Sequence, residues 1–387
     1  MRIAVFTDTF LPQVNGVTNT LRCLGNYLEA EGMEYIFITP EQKQKNEQIL
    51  PYNMESFFST PFILYPECRF TLPNMLRLNK IMGDFHPDII FLMTEFSMGL
   101  SGLSYGKRHG IPVISNYSTN FTTIIRQYKL GVLEKALDNY LRWFHNEADQ
   151  CVTPSRESRK ELEKFGVKEI SIFSRGIDFD NFSPEKRNND FRRIYGVGDK
   201  ILLLYVGRLS LEKDLAVLRD SMFKLNELYK DKIALIVTGE GPMKSELEQT
   251  MPDNVIFTGY KKGVELAEIY ASCDIFAFPS SFETFGNVVL EASASGLPVV
   301  GVNEGGVLEL IDHGKTGYLA NPRDPESFAA FLGKLIVEEE LRNNFGVNGR
   351  NYAKTKSWNT VFSNLIEIFD KEIRKKTMTF PKKDAAA

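Results

Sequence analysis

Residues 201–215 read ILLLYVGRLSLEKDL: six apolar residues in a row, a glycine, a short polar turn and the start of a longer amphipathic segment. An unbroken apolar run suits a strand buried on both faces, and such strands belong to parallel sheets. Parallel neighbours need a crossover, and the helix-like segment 213–229 supplies one. The same alternation runs outward in both directions. Downstream lie IALIVTG (233–239), VIFTG (255–259), DIFAFP (274–279) and LPVVG (297–301). Upstream lie RIAVFT (2–7), YIFIT (35–39), DIIFLM (88–93), PVISNY (112–117), QCVTP (150–154) and ISIFS (170–174). Helix-like segments such as 263–272 separate most of them. The pattern predicts an α/β fold of doubly wound parallel sheets.

One stretch interrupts the alternation: SRGIDFDNFSPEKRNND (174–190), polar and carrying a proline. It predicts two Rossmann-like domains, 1–180 and 190–357, with an amphipathic helix over 358–375 returning to the first. Ligands of doubly wound sheets sit beyond the carboxyl ends of the strands, so a cleft between two such domains is the expected site.

Bulk properties narrow the function. A chain of 387 residues has room for two cores, and a net charge of −4 argues against a general nucleic-acid binder. Cys23, Cys68, Cys151 and Cys273 are scattered, and His86, His109, His145 and His313 lack ligand spacing. Neither a disulfide framework nor a zinc site is expected. RIAVFT already reads as a first strand, and no apolar run approaches the roughly 18–20 residues of a membrane span. A cytoplasmic protein is expected, with peripheral contact at the inner membrane surface left open.

The chemistry concentrates at strand ends of the second half. Gly207 and Arg208 close the first of these strands and Lys213 follows, so one short turn carries two cations. Arginine offers paired donors and lysine a point charge, a combination suited to a diphosphate; a solvated surface turn is the plain alternative. TGEGP (238–242) and NEGGV (303–307) are further glycine turns after strands. SSFETFGNVVLEASASGLPVVG (280–301) sets Glu283 and Glu291 around a glycine turn that opens a helix, with Thr284 as its expected N-cap. A helix start attracts anions, whereas flanking acids suit hydroxyl groups. A ligand with phosphates in the middle and polyols at both ends satisfies all of these features. A nucleotide sugar has that shape.

The first half is less explicit. Asn15 and Gly16 sit at the mouth of the first turn, where close backbone approach to a ligand and a simple helix entry are both open, and Asn15 is a candidate for binding a sugar or acceptor. SNYSTNF (115–121) offers Ser118 and Asn120 to a sugar or an acceptor. Segment 122–150 mixes Arg126, Lys129, Lys135 and Arg142 with Tyr128, Tyr140, Trp143 and Phe144. It suits either a membrane surface or a helix packed on the sheet. DFD (178–180) lies in the hinge rather than between strands, so no metal is expected there. A dinucleotide fingerprint after the first strand, a P-loop and a nucleophile elbow are all missing from the sequence.

VGRLSLEKDL, GEGP, SSFETFGNVVLEASASGLPVV and GGVLELIDHGKTGYL together resemble the retaining, metal-independent GT-B glycosyltransferases of family 4. TDTFLPQVNGV, PDIIFLM and SRGID extend the resemblance over nearly the whole chain. The opening and the hinge look most like members that use GDP-mannose or make glycosyl- and sulfoquinovosyl-diacylglycerols. The resemblance implies two facing Rossmann-like domains, no cofactor, and transfer of a hexose from a GDP-mannose- or UDP-glucose-type donor to a lipid or glycan hydroxyl. It assigns Arg208 and Lys213 to the diphosphate and Glu283 to the donor sugar. Phe285, Gly286, Asn287 and Val288 fall at the phosphate-binding helix start, Glu291 at the ribose, and Gly16 and Gly207 at close backbone approaches. Many relatives carry histidine where this chain has Ser118, a shorter group. A GT-B-shaped sugar-nucleotide epimerase and a non-catalytic nucleotide-sugar-binding subunit are the competing expectations.

Overall fold

The computed structural model describes residues 1–13, 15–41, 51–61, 69–71, 73–119 and 134–379. The chain forms two compact units. Among the described residues, the first takes those up to Ser174 and again from Trp358, and the second takes Arg175–Ser357.

In the first unit the strands are β1 (Arg2–Phe6), β2 (Glu34–Pro40), β3 (Met54–Phe57), β4 (Ser59–Pro61), β5 (Arg69–Thr71), β6 (Ile89–Leu92), β7 (Val113–Asn116), β8 (Gln150–Thr153) and β9 (Ile170–Ile172). Among the described residues, one parallel sheet runs in the order β3-β2-β1-β6-β7-β8-β9, and β4 and β5 pair as an antiparallel ribbon. The order reverses direction between β1 and β6, which makes their carboxyl ends the switch point where doubly wound folds bind ligands. β3, β4 and β5 lie outside the apolar runs of the sequence. MESF carries too little apolar character to stand out, and the other two strands are only three residues long.

The helix Trp358–Thr379 packs on this unit and runs four residues past the expected end. Phe362, Leu365 and Phe369, spaced at three and four, are fully buried. The Phe369 ring lies 5.2 Å from Phe91 of β6, and Phe362 lies 5.4 Å from Tyr27. Phe362→Ala is expected to cost about 3–5 kcal/mol, because a cavity adds to the lost transfer free energy. Urea unfolding followed by tryptophan fluorescence checks this, since Trp358 stacks on Phe362 at 5.1 Å.

The second unit contains β10 (Ile201–Val206), β11 (Ile233–Thr238), β12 (Val255–Gly259), β13 (Ile275–Ala277), β14 (Val299–Val302) and β15 (Gly317–Ala320). They form a parallel sheet in the order β12-β11-β10-β13-β14-β15. Its switch point lies between β10 and β13. Every residue of β11 is buried, and β10 is buried from Leu202 to Val206, as strands covered on both faces require. β15 escaped the periodicity because GYLA is short and glycine-led. Among the described residues, no helix is long and apolar enough to cross a membrane.

Candidate active site

The turns that leave the second sheet at its carboxyl edge pack on one another through their backbones. After β10, Gly207 N–H donates to the Thr238 carbonyl at 3.0 Å and Leu209 N–H to the Glu240 carbonyl at 2.9 Å. Met243 N–H returns to the Leu209 carbonyl at 2.9 Å, so the turns after β10 and β11 form one ladder. Beyond β14, Gly306 N–H donates to the Glu283 carbonyl at 2.6 Å. A Cβ at Gly306 would run into the Thr284 carbonyl and come within 2.7 Å of Phe285 Cα. Glycine is required there by close approach of two main chains.

The helix Asn287–Ala294 starts at Gly286, whose φ of 97° and ψ of 58° are left-handed. Thr284, the expected cap, is displaced by two residues, because the chain reverses through a conformation that glycine adopts without steric cost. Gly286 brings no capping side chain; Val289 N–H turns back to the Gly286 carbonyl at 2.9 Å, and the N–H groups of Asn287 and Val288 have no partner within the helix. Three buried side-chain oxygens of these turns and helix start, Asn287 Oδ1, Ser281 Oγ and Glu212 Oε2, also lack a hydrogen-bond partner. A buried polar atom left unpaired costs ~1–3 kcal/mol.

Charge is arranged around this helix start. Lys213 ends a single 3-10 turn over Leu211–Lys213, and its Nζ lies 2.5 Å from Glu283 Oε1. Ser280 Oγ donates to the same oxygen at 3.2 Å. Asp214, at φ 50°, accepts Ser281 N–H at 3.1 Å and ties the turn after β10 to the turn after β13. Arg208 is exposed at the end of β10, and its carbonyl accepts the hydroxyl of fully buried Tyr205 at 3.0 Å. Glu291 lies on the helix, partly buried, and accepts the Tyr270 hydroxyl at 2.9 Å. Burial pushes its carboxyl up to about 7, against the opposing pull of that hydrogen bond.

The second unit therefore holds Gly207, Arg208, Lys213, Glu283, Phe285, Gly286, Asn287, Val288 and Glu291 on two turns and one helix. Phe285 belongs to the apolar core, which leaves its main chain for a ligand; Val288 also packs on the core. Asn15, Gly16 and Ser118 lie in the first unit, and Asn120 lies outside the described residues. Asn15 caps the helix Gly16–Ala30 in a reciprocal box: its side chain accepts Thr18 N–H at 2.9 Å, and Thr18 Oγ1 accepts Asn15 N–H at 3.0 Å. Gly16 is exposed and Ser118 partly buried.

The helix Glu134–Glu147 buries Phe144 and half-exposes Trp143, with Lys135 and Arg142 at the surface. Arg126, Tyr128 and Lys129 lie outside the described residues.

Sequence reasoning missed a buried polar cluster at the switch point of the first unit. Asp8, after β1, accepts Thr94 Oγ1 at 2.7 Å, Ser97 Oγ at 2.8 Å and Met98 N–H at 2.8 Å. Glu95, after β6, lies 3.7 Å from His145 Nε2. Burial pushes the Glu95 carboxyl up to about 8, with a smaller push from Asp8, and drives His145 down to about 3. An acid directly after an apolar run, as in FTD and MTEF, was the available signal.

This cluster predicts a pH-dependent stability. The folded chain keeps a proton on Glu95 that the unfolded chain releases near 4.5, so the contribution is fully present below 4.5 and is lost as pH rises through about 8. His145 acts oppositely, losing its contribution as pH falls below 6.5. Of Glu95 and His145, only Glu95 changes between 6.5 and about 8, and Glu291, which burial raises to about 7, adds to the change in the lower part of that window. Glu95→Gln is expected to reduce the slope of melting temperature against pH, most clearly between about 7 and 8 where Glu291 has already titrated, and thermal scans at stepped pH test it.

The sequence matches the profile of the glycosyl transferases group 1 over residues 187–352 and that of Glycosyltransferase Family 4 over residues 14–181. A GDP-mannose-dependent alpha-mannosyltransferase of Corynebacterium glutamicum is 31% identical over 95% of this chain and 88% of its own length. An alpha-monoglucosyldiacylglycerol synthase of Streptococcus pneumoniae is 33% identical over 78% of this chain and 70% of its own. In fold, the chain is similar to the sucrose-phosphate synthase of Thermosynechococcus elongatus, with a TM-score of 0.78 at 16% identity, covering 97% and 99% of the two chains. With two Rossmann-like parallel sheets and matches along nearly its whole length, this chain belongs to the GT-B glycosyltransferases of family 4.

Proposed function

We propose that this glycosyltransferase moves a hexose, with retention of configuration, from a GDP-mannose- or UDP-glucose-type donor to a hydroxyl of a lipid or glycan acceptor. The reaction serves membrane glycolipid or envelope glycan synthesis at the cytoplasmic membrane face and needs no bound metal. The observation that carries this reading is the Lys213–Glu283 pair beside the glycine-started helix that also bears Glu291. One cation and one acid stand ready to exchange each other for a phosphate and a sugar hydroxyl.

Arg208, Lys213 and the first N–H groups of the helix Asn287–Ala294 bind the diphosphate and stabilise its charge as the C1–O bond breaks. Glu283 accepts hydroxyls of the donor sugar, and Glu291 those of the ribose. The acceptor oxygen bonds to C1 from the face that the phosphate leaves, and its proton passes to the departing phosphate oxygen. Configuration at C1 is thereby retained without a protein nucleophile. The acceptor class is supported by the family and by the exposed Trp143, Lys135 and Arg142 on one helix of the first unit.

A panel of UDP- and GDP-sugars tests this reading, with chelator present, with and without diacylglycerol liposomes, and with the product anomer read by NMR. The expected result is an α-linked product from an α-donor, formed at an undiminished rate in chelator. An inverted product, or a reaction abolished by chelator, contradicts the proposal.

A further inference from the structure

The helix Gly263–Ser272 takes no part in the chemistry proposed above, yet it contributes a polar group to the site. Tyr270 is fully buried, with its ring edge-on to Phe182 at 5.5 Å and tilted against Phe276 at 5.7 Å. That packing holds the ring in place. Its hydroxyl, the one polar atom of the side chain, donates to Glu291 Oε2 at 2.9 Å and lies 3.4 Å from the Val288 carbonyl. It therefore grips the helix Asn287–Ala294 across one turn, at its main chain and at its acid.

We infer that Tyr270 is a positioning residue for nucleotide recognition, its hydroxyl fixing one oxygen of Glu291 so that the carboxylate presents the other to a vicinal diol. The inference rests on the reading of Glu291 as the ribose-binding acid. A diol donates two hydrogen bonds, so the acid binds it best without its own proton. Burial favours the protonated form, and donation from Tyr270 opposes that. Among the described residues, Tyr270 acts on Glu291 directly and Tyr205 of β10 acts on Tyr270; burial holds both phenols neutral, far above their ordinary range. Glu291 is then the group of this set that titrates near neutrality.

The test uses the full chain and its Tyr270→Phe and Glu291→Gln variants. Binding of GDP, UDP and their 2′,3′-dideoxy forms is titrated by calorimetry on both sides of neutral pH. Wild-type affinity for the better ribonucleotide is expected to rise with pH through about 7, while the dideoxy form binds weakly at every pH. Tyr270→Phe should move that midpoint to higher pH, lowering affinity ~10-fold near neutrality and recovering it in alkali. The donor KM should follow with kcat unchanged, a split that a loosened fold would not give. A Tyr270→Phe midpoint equal to wild type, with ribose discrimination intact, overturns this inference alone. A wild type that binds ribo and dideoxy nucleotides equally, or binds neither GDP nor UDP, overturns the reading of Glu291 and the inference with it.

Discussion

Replacing Arg208 or Lys213 with alanine is expected to lower turnover by about 10²–10³, the size of one lost contact to charge that develops in the transition state. The two losses differ in origin. Arg208 is exposed, and its removal deletes one cation of the proposed diphosphate site. Lys213 also pairs with Glu283, both side chains less than a fifth exposed. Lys213→Ala therefore leaves a largely buried carboxylate with, among the described residues, Ser280 Oγ as its remaining side-chain donor, which repels a diphosphate as well as failing to bind it. Lys213→Ala with Glu283→Gln should cost less than the sum of the singles, because residues in contact couple. Steady-state kinetics on the wild type, the three single variants and the double variant, with circular dichroism as the folding control, checks both statements. Wild-type turnover in either alanine variant removes the diphosphate assignment.

Gly306→Ala carries the second large effect, although the side chain added is a single methyl. Its Cβ would meet the Thr284 carbonyl and lie within 2.7 Å of Phe285 Cα, and both obstacles are main chain that no rotamer can move. The turn bearing Glu283 and the helix start at Gly286 must shift, and small misplacements of positioning groups can cost ~10² in rate. The expected outcome is kcat/KM down about 10²-fold in a protein that still melts cooperatively. Gly333→Ala is the matched control. It lies within the helix Pro325–Val337, where an added Cβ meets nothing closer than 3.9 Å, and alanine should stabilise it by up to ~1 kcal/mol. Equal activity of the Gly306 and Gly333 variants would show that the close packing of the two turns does not position the site.

These two sites also mark where the sequence was legible. Strands buried on both faces announce themselves as apolar runs, so β10, β11 and their parallel partners were readable. β3 and β15 were not, because a polar edge strand and a glycine-led tetrapeptide carry no such signal. The glycine turns were visible as residues, but the reason for Gly306 is a contact with a turn more than twenty positions away. The helix start shifted from Thr284 to Gly286 because capping rules weigh side chains, whereas here the backbone dihedral decides. Asn15 read equally as ligand approach or helix entry; the reciprocal bonds with Thr18 show that its side chain caps the helix, a role that does not oppose close approach of the main chain to a ligand. Glu95, His145 and Tyr270 were invisible as a class. A buried polar group is defined by its partners, and those arrive from other elements of the fold.

We propose that the turns after β10 and β13, with the helix start at Gly286, form the diphosphate site of a nucleotide-sugar donor. The most direct measurement is calorimetric titration of the wild type with GDP, UDP and the corresponding nucleosides, repeated on Lys213→Ala. Saturable binding of one diphosphate, at least ~100-fold tighter than its nucleoside and lost in Lys213→Ala, is the predicted result. Equal affinity for nucleoside and diphosphate, or diphosphate binding that Lys213→Ala leaves intact, would contradict it.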